Sequence, residues 1–347
     1  MTFDRYFLAH SAALEAKLAE WALAPAALGR PQRYGHPSGG DPAGRALLQE
    51  MVSQQLSSGG KRLRGLLPIA LVAAGRGPVA AAVALGAAVE LVHNGTLAHD
   101  DVQDRDRLRR GLPTLWTQVG EAQAINAGDA MLVAPIANLL ADPTLPSEHR
   151  PALALLLSDA IVETIRGQVA DLGLRDLAAP TLDDLMAVHL AKTGPLFGAC
   201  LGGAALLLGA GASELAACSE AARHLGLAFQ LRDDLLDALG TKGRGAPGAD
   251  LHEGKWTAPL FLAGRTDSQG SRELASVLRR AAAGEELTAE AVAGWVQWAR
   301  DRGGLEETSL LLDHHLAQFH LAAAGALPAP CQPILQALVD RLMRADG

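Results

Sequence analysis

Two short acidic runs hold the residues best suited to chemistry in this 347-residue chain. Asp100, Asp101 and Asp104 form D-D-V-Q-D, and Asp233, Asp234 and Asp237 form D-D-L-L-D. In each run the first and last acids stand four residues apart, so on a helix they share one face. Like charges stacked in this way repel and weaken the helix. A hard divalent cation offsets that repulsion. Magnesium is the natural one, because it commonly binds through one or two carboxylates together with substrate phosphates. One acidic run alone reads equally well as a solvated face. Here the spacing occurs twice, each time among apolar residues: Leu97 and Ala98 before the first run, Leu231, Leu235 and Leu236 around the second. Carboxylates in apolar settings are paired or metal-bound, so both runs read as metal-binding faces.

The cations are grouped as well. Gly59-Gly60-Lys61-Arg62-Leu63-Arg64 places three of them after a flexible glycine pair, and Arg109-Arg110-Gly111 follows the first acidic run. Lys192-Thr193 and Lys255 come later. Arginine grips phosphate through a bidentate fork and lysine as a point charge. Any one of these is by itself an ordinary surface charge. Two magnesium-binding faces with several cationic groups describe a diphosphate site.

The elements that must position these groups are helical. Hydrophobic residues make up 49% of the chain and aromatics 4%, a balance too apolar for disorder and too poor in aromatics for a sheet-rich fold. Alanine and leucine dominate, and both are strong helix formers. The pattern predicts helices over 5–23, from about 43 to a break at Ser57–Gly60, and from 63 to 99 with a turn at Gly75–Pro78. Further helices are predicted over 120–140, 148–172, 182–208, 214–238, 257–265, 271–283, 288–302, 305–323 and 331–344. No period-two alternation and no solenoid repeat is found. No linker divides the chain, so the reading is one large domain, 1–347. An N-terminal helix and Pro/Gly-rich loop (1–44) precede a catalytic bundle (45–347).

Formal net charge is −8, which supplies no basic surface for nucleic acid. Three isolated cysteines fit a reducing compartment, the cytoplasm, and the N-terminus lacks the order of a signal peptide. Pro195–Ser213 runs 19 residues without a charge. Its glycines and opening proline favour a buried bundle helix over an integral membrane segment.

The ordered motifs resemble those of the trans-isoprenyl diphosphate synthases, or polyprenyl synthetases. They are G-G-K-R-L-R (59–64), H-D-D-V-Q-D (99–104), R-R-G-L-P-T (109–114), G-D-A (128–130), G-Q-V-A-D (167–171), K-T (192–193), F-Q-L-R-D-D-L-L-D (229–237) and D-L-H-E-G-K-W-T-A-P (250–259). The resemblance implies an all-α bundle around a deep central cavity, with the two aspartate motifs on facing helices. It implies magnesium-dependent condensation of isopentenyl diphosphate with an allylic diphosphate (1′-4, trans), usually by a homodimer.

Residue roles follow by motif position. Asp100, Asp104 and Asp233 are implied to ligate three magnesium ions, supported by Asp101, Asp234 and Asp237. Lys61, Arg64, His93 and Arg110 match the isopentenyl diphosphate pocket. Arg109, Lys192 and Lys255 match contacts to the allylic diphosphate. Thr193 and Gln230 match groups near the developing carbocation, Gln168 a position near the allylic site, Asp171 a supporting partner and His99 an outer one. Two departures stand out. The family's loop lysine falls near Gly245 or Ala246, with Lys242 and Arg244 as substitutes, and Trp256 occupies a place usually held by a small residue or proline.

Product length is expected to follow the tunnel below the first acidic run. Gly95 and Thr96, then Leu91 and Val92, then Ala87 and Ala88 lie there. None is aromatic, and Gly95 provides no floor, so a product of C20 or longer is expected. Three other readings rank lower. A class I terpene cyclase would mix other ligands into its second motif. A His99-Asp100 phosphohydrolase would want more histidines. A non-catalytic subunit of a heteromeric synthase would lack an aspartate motif.

Overall fold

The computed structural model describes residues 3–23, 42–174, 177, 180–240 and 247–343. The protein is all-α, as its composition demands. Helices α1 (Phe3–Leu23), α2 (Pro42–Ser57), α3 (Leu63–Ala74) and α4 (Val79–Gln103) lead to a minimal antiparallel ladder, β1 (Leu108–Arg109) with β2 (Leu112–Pro113). Next come α5 (Leu115–Val119), α6 (Glu121–Ala141), α7 (Arg150–Leu174), α8 (Leu182–Leu207) and α9 (Ala212–Leu239). The remainder is α10 (Ala249–His252), α11 (Ala258–Gly264), α12 (Ser268–Ala282), α13 (Ala289–Asp301), α14 (Gly304–Ala326) and α15 (Gln332–Met343). The residues around the expected loop lysine, 241–246, lie outside the described residues, as does most of the predicted 24–44 loop.

The chain gathers into two compact units, each drawn from separate stretches. The first comprises Met1–Ile161, Gly198–Ala216 and Leu327–Ile334; the second comprises Val162–Phe197, Ala217–Ala326 and Leu335–Gly347. In the first unit α4 packs against α1, α3 and α6. Its alanines 81, 82, 84, 87 and 88 are wholly buried, and small side chains let those neighbours close in from several directions. In the second unit the core gathers around Leu231, Leu251, Trp256, Leu274 and Leu278. Helix starts follow local chemistry: Asp267 caps α12 by accepting from the Gly270 N–H at 2.8 Å, and Thr288 caps α13 by accepting from Ala291.

Among the described residues, three helices are long and apolar enough to cross a membrane by length and composition: α4, α6 and α8. The apolar windows of α4 and α8 are 78% and 67% buried within the protein, which is how a core helix apolar on all sides behaves. That of α6 is 44% buried, because Ile125, Val133 and Leu140 face outward.

The β1–β2 ladder was not anticipated. Its register pairs Leu108 with Pro113 and Arg109 with Leu112. The two turn residues, Arg110 (φ 54°) and Gly111 (φ 79°), both have positive φ, the signature of a type I′ hairpin.

Candidate active site

In the first unit, Asp100 and Asp104 lie on one face at the end of α4 and are both half-buried. Asp101 between them is only 2% exposed. It accepts from Arg109 Nε at 2.7 Å and pairs with Arg109 Nη2 at 2.5 Å. Burial pushes the Asp101 carboxyl up from its ordinary value, and the Arg109 guanidinium pulls it back. Arg109 is therefore anchored to the acidic run as well as to the hairpin.

The two cationic motifs of this unit meet. Arg110, at the hairpin tip, donates to the carbonyl of Gly59. Arg64 lies 3.4 Å from His93 Nε2. Burial, reinforced by Arg64, Arg110 and Arg109, holds the His93 imidazole well below its usual pKa, so the ring is neutral at neutral pH. His93 is seven residues before Asp100, two turns back on the same side of α4. A group of cations thus stands beside the half-buried carboxylates. His99 turns elsewhere. Its Nε2 is 3.2 Å from the Ile125 carbonyl and 3.4 Å from Asp129, and a Cβ on Gly128 would collide with the ring at 2.2 Å. Glycine in G-D-A is what admits His99 to α6. The His99 imidazole is thereby engaged with α6.

In the second unit the acids also divide by burial, but with one half-buried and two buried. Asp233 is half-buried, while Asp234 and Asp237 are each 4% exposed. Asp234 lies 3.1 Å from His189 Nε2 and accepts from the Ala258 N–H at 2.7 Å. Burial raises its pKa, opposed by these two partners. Asp237 accepts from the Asp250 N–H. Lys192 is ion-paired with Asp171 at 2.7 Å, and Gln168 stands one turn before Asp171 on α7. Gln230 donates through its amide nitrogen to the Thr193 hydroxyl, which directs its carbonyl oxygen away from that contact. Lys255 pairs with Glu253. Trp256 stacks on Phe261 with ring centroids 4.3 Å apart, inside the unit's core. It pins the strand of chain that delivers the Ala258 N–H to Asp234, which gives this unusual tryptophan a physical role.

No group of three or more His, Cys, Asp or Glu is arranged to hold a metal ion among the described residues. Runs offering one or two accessible carboxylates each fit a magnesium ion that completes its shell with water and substrate phosphate.

Residues 45–294 match the family model described as polyprenyl synthetase. The chain belongs to that family. It is 35% identical to a geranylgeranyl diphosphate synthase of Mycobacterium tuberculosis, over 85% of this chain and 82% of that protein. It is equally 35% identical to a (2E,6E)-farnesyl diphosphate synthase of the same organism, covering 81% of this chain and 80% of the relative. A decaprenyl diphosphate synthase from Rhodobacter capsulatus superposes with a TM-score of 0.80 at 26% identity, covering 98% of both chains. Polyprenyl synthetases are prenyltransferases that use isopentenyl and allylic diphosphates.

In this polyprenyl synthetase the three expected chain-length positions all lie on α4. Gly95 stands five residues before Asp100, about 140° round the helix from it. A Cβ there would lie 3.0 Å from both the Gly128 carbonyl and Met131 Cβ. Gly95 is a close contact between α4 and α6, beside Met131. Leu91 is on that side too, bordering with Trp21, Val52 and Met131 an apolar cavity of about 230 Å³. Thr96 and Val92 lie about 40° and 80° round the helix from Asp100. Thr96 Oγ1 donates to the His93 carbonyl at 2.8 Å, and Val92 is fully buried.

The sequence reading missed His189, the buried partner of Asp234, and Glu90, the buried partner of Arg62. The spacing of His189, three residues before Lys192 on one helix face, was the available signal.

Proposed function

We propose that this polyprenyl synthetase extends an allylic diphosphate with isopentenyl diphosphate by 1′-4, trans condensation, using magnesium, to a product of C20 or longer. One observation carries the reading: half-buried Asp100 and Asp104 share a helix with neutral His93, where Arg64 and the Arg110–Gly59 contact gather cations. A metal-diphosphate face and a second anion pocket are thereby adjacent in the first unit.

Asp100, Asp104 and Asp233 would hold magnesium, which neutralises the departing diphosphate when bound. The structure's own groups do the rest. Lys61, Arg64, His93 and Arg110 orient isopentenyl diphosphate. Arg109, Lys192 and Lys255 hold the allylic diphosphate, with Gln168 beside it and Asp171 fixing Lys192. The Thr193 hydroxyl and the Gln230 carbonyl present dipoles to the developing allylic cation. The released diphosphate takes the final proton, so no side-chain base is needed. The two units act as one catalytic domain, a reading supported by a family match that runs through stretches of both.

Product length follows the residues at 95, 96 and 92, glycine, threonine and valine, which leave the tail's path open where an aromatic would close it. Homodimer formation is supported by outward apolar faces. On α6 these are Ile125, Val133 and Leu140; on α7 they are Leu155, Val162 and Val169, at seven-residue spacing. Three buried cysteines outside any disulfide support residence in the cytoplasm.

The test is purified protein with magnesium, isopentenyl diphosphate and allylic primers of several lengths, with products sized by chromatography. Diphosphate release with primer elongation is expected. No elongation of any primer would refute the proposal.

A further inference from the structure

The basic loop of the first unit rests on a buried carboxylate that the functional reading leaves unused. Glu90, on α4, is 3% exposed. A charge so placed is costly unless paired and hydrogen-bonded. Glu90 Oε2 accepts from the Gly65 N–H at 3.1 Å, and Oε1 pairs with Arg62 Nη1 at 3.3 Å and accepts from Asn94 Nδ2 at 3.4 Å. Arg62 is gripped from other sides as well. Its Nε donates to Glu15 at 2.9 Å, and its guanidinium donates to the Leu56 carbonyl.

The backbone shows why this grip matters. Arg62 is the N-cap of α3 and adopts a left-handed conformation, φ 49°, which is unfavourable for a residue with a side chain. A Cβ on Gly86 would lie 2.2 Å from the Gly65 carbonyl, so α3 begins in direct backbone contact with α4. That approach lets Glu90 reach the Gly65 amide. Lys61 and Arg64 flank the anchored Arg62 in sequence, and Arg64 then meets His93.

We infer that Glu90 is a positioning residue for the isopentenyl diphosphate site. By clamping Arg62 and the Gly65 N–H, it holds the left-handed cap and presents Lys61 and Arg64 in one fixed arrangement. Arg62, although it belongs to the same cationic triplet, is consumed in structure and does not bind substrate. This rests on the functional reading given above.

The experiment compares wild type with Glu90→Gln, which keeps the shape and removes the charge. KM for isopentenyl diphosphate should rise about tenfold, with KM for the allylic diphosphate and kcat within about twofold. Amide exchange of residues 62–66 should quicken about tenfold, with exchange in α8 unchanged. Equal KM shifts for both substrates, or unaltered exchange at 62–66, would overturn the inference. Should Glu90→Gln fail to fold, Arg62→Met, which leaves Glu90 bonded to Gly65, should give the same split; an unshifted KM there also overturns it. A wild type that elongates no primer defeats the functional reading instead, and the exchange arm still decides whether Glu90 orders the loop.

Discussion

Arg110 hydrogen-bonds the carbonyl of Gly59, fifty-one residues earlier in the chain, and its guanidinium fills the space that a Cβ on Gly60 would need. The hairpin tip and the basic loop are therefore one surface. Gly60 has φ 130°, so alanine is disfavoured there both by conformation and by the 2.7 Å approach to Arg110. Gly60→Ala should raise KM for isopentenyl diphosphate about tenfold, read by steady-state kinetics. Since the position is exposed, the melting temperature should move by no more than about 2 °C.

The split between half-buried and buried aspartates predicts two kinds of variant. Asp100→Ala and Asp233→Ala should lose about a thousandfold or more in turnover while folding normally, because each removes an accessible carboxylate and relieves like-charge repulsion. Asp234→Asn should instead unfold more easily, by about 1–3 kcal/mol in urea, since His189 and the Ala258 N–H lose a charged acceptor. Near-normal turnover in both alanine variants would contradict the metal assignment.

Chain length should respond at both 95 and 96, with a cost in stability at 95. Thr96→Phe is expected to shorten the product by at least one isoprene unit. Gly95→Phe is expected to cost about 1–3 kcal/mol in stability, because the ring must displace α6. Product sizing together with thermal melts separates the two. Unchanged products from Thr96→Phe would remove that residue from the tail's path.

A histidine pair in the second unit predicts a pH effect on stability. His224 and His315 meet through their Nδ1 atoms at 2.9 Å, with Glu220 3.0 Å from His224 Nε2 and His314 and Arg223 alongside. Burial, with repulsion from His224, His314 and Arg223, takes His315 down from 6.5 to about 4. The unfolded chain accepts this proton near pH 6.5, whereas the folded chain resists it until about pH 4. Stability is thus complete above pH 6.5 and is lost as pH falls toward 4. His315→Gln should reduce the loss between pH 7 and pH 5 by about 1 kcal/mol, with solvent screening of this half-buried pair allowed for, measured by denaturant titration at both pH values.

Metal and diphosphate should stabilise together. Magnesium with inorganic diphosphate should raise the melting temperature by several degrees, through linkage, and either alone by much less. Chelation should abolish both the shift and activity.

Much of the helical order was legible because its signal is local. The expectation for 182–208 meets α8 at Leu182–Leu207, and that for 148–172 meets α7 within two residues. The hairpin was not legible. Two-residue strands carry no periodicity, and Arg110 is an unusual residue to take the first positive φ of its turn. Both acidic runs could be read from spacing, but which acids are buried could not. Asp101 and Asp234 differ from Asp100 and Asp233 by the tertiary partners Arg109, His189 and Ala258.

The three cysteines have a use beyond marking a compartment. All are buried; Cys200 and Cys331 lie in the first unit and Cys218 in the second. Burial pushes the Cys200 thiol up to about 12 and Cys331 to about 11, so neither forms the reactive thiolate while folded. Each thiol is a silent tag that an alkylating reagent can mark only after its own unit opens. Mass-spectrometric timing of labelling at 200, 331 and 218 would therefore reveal whether the enzyme breathes as a whole or one half at a time.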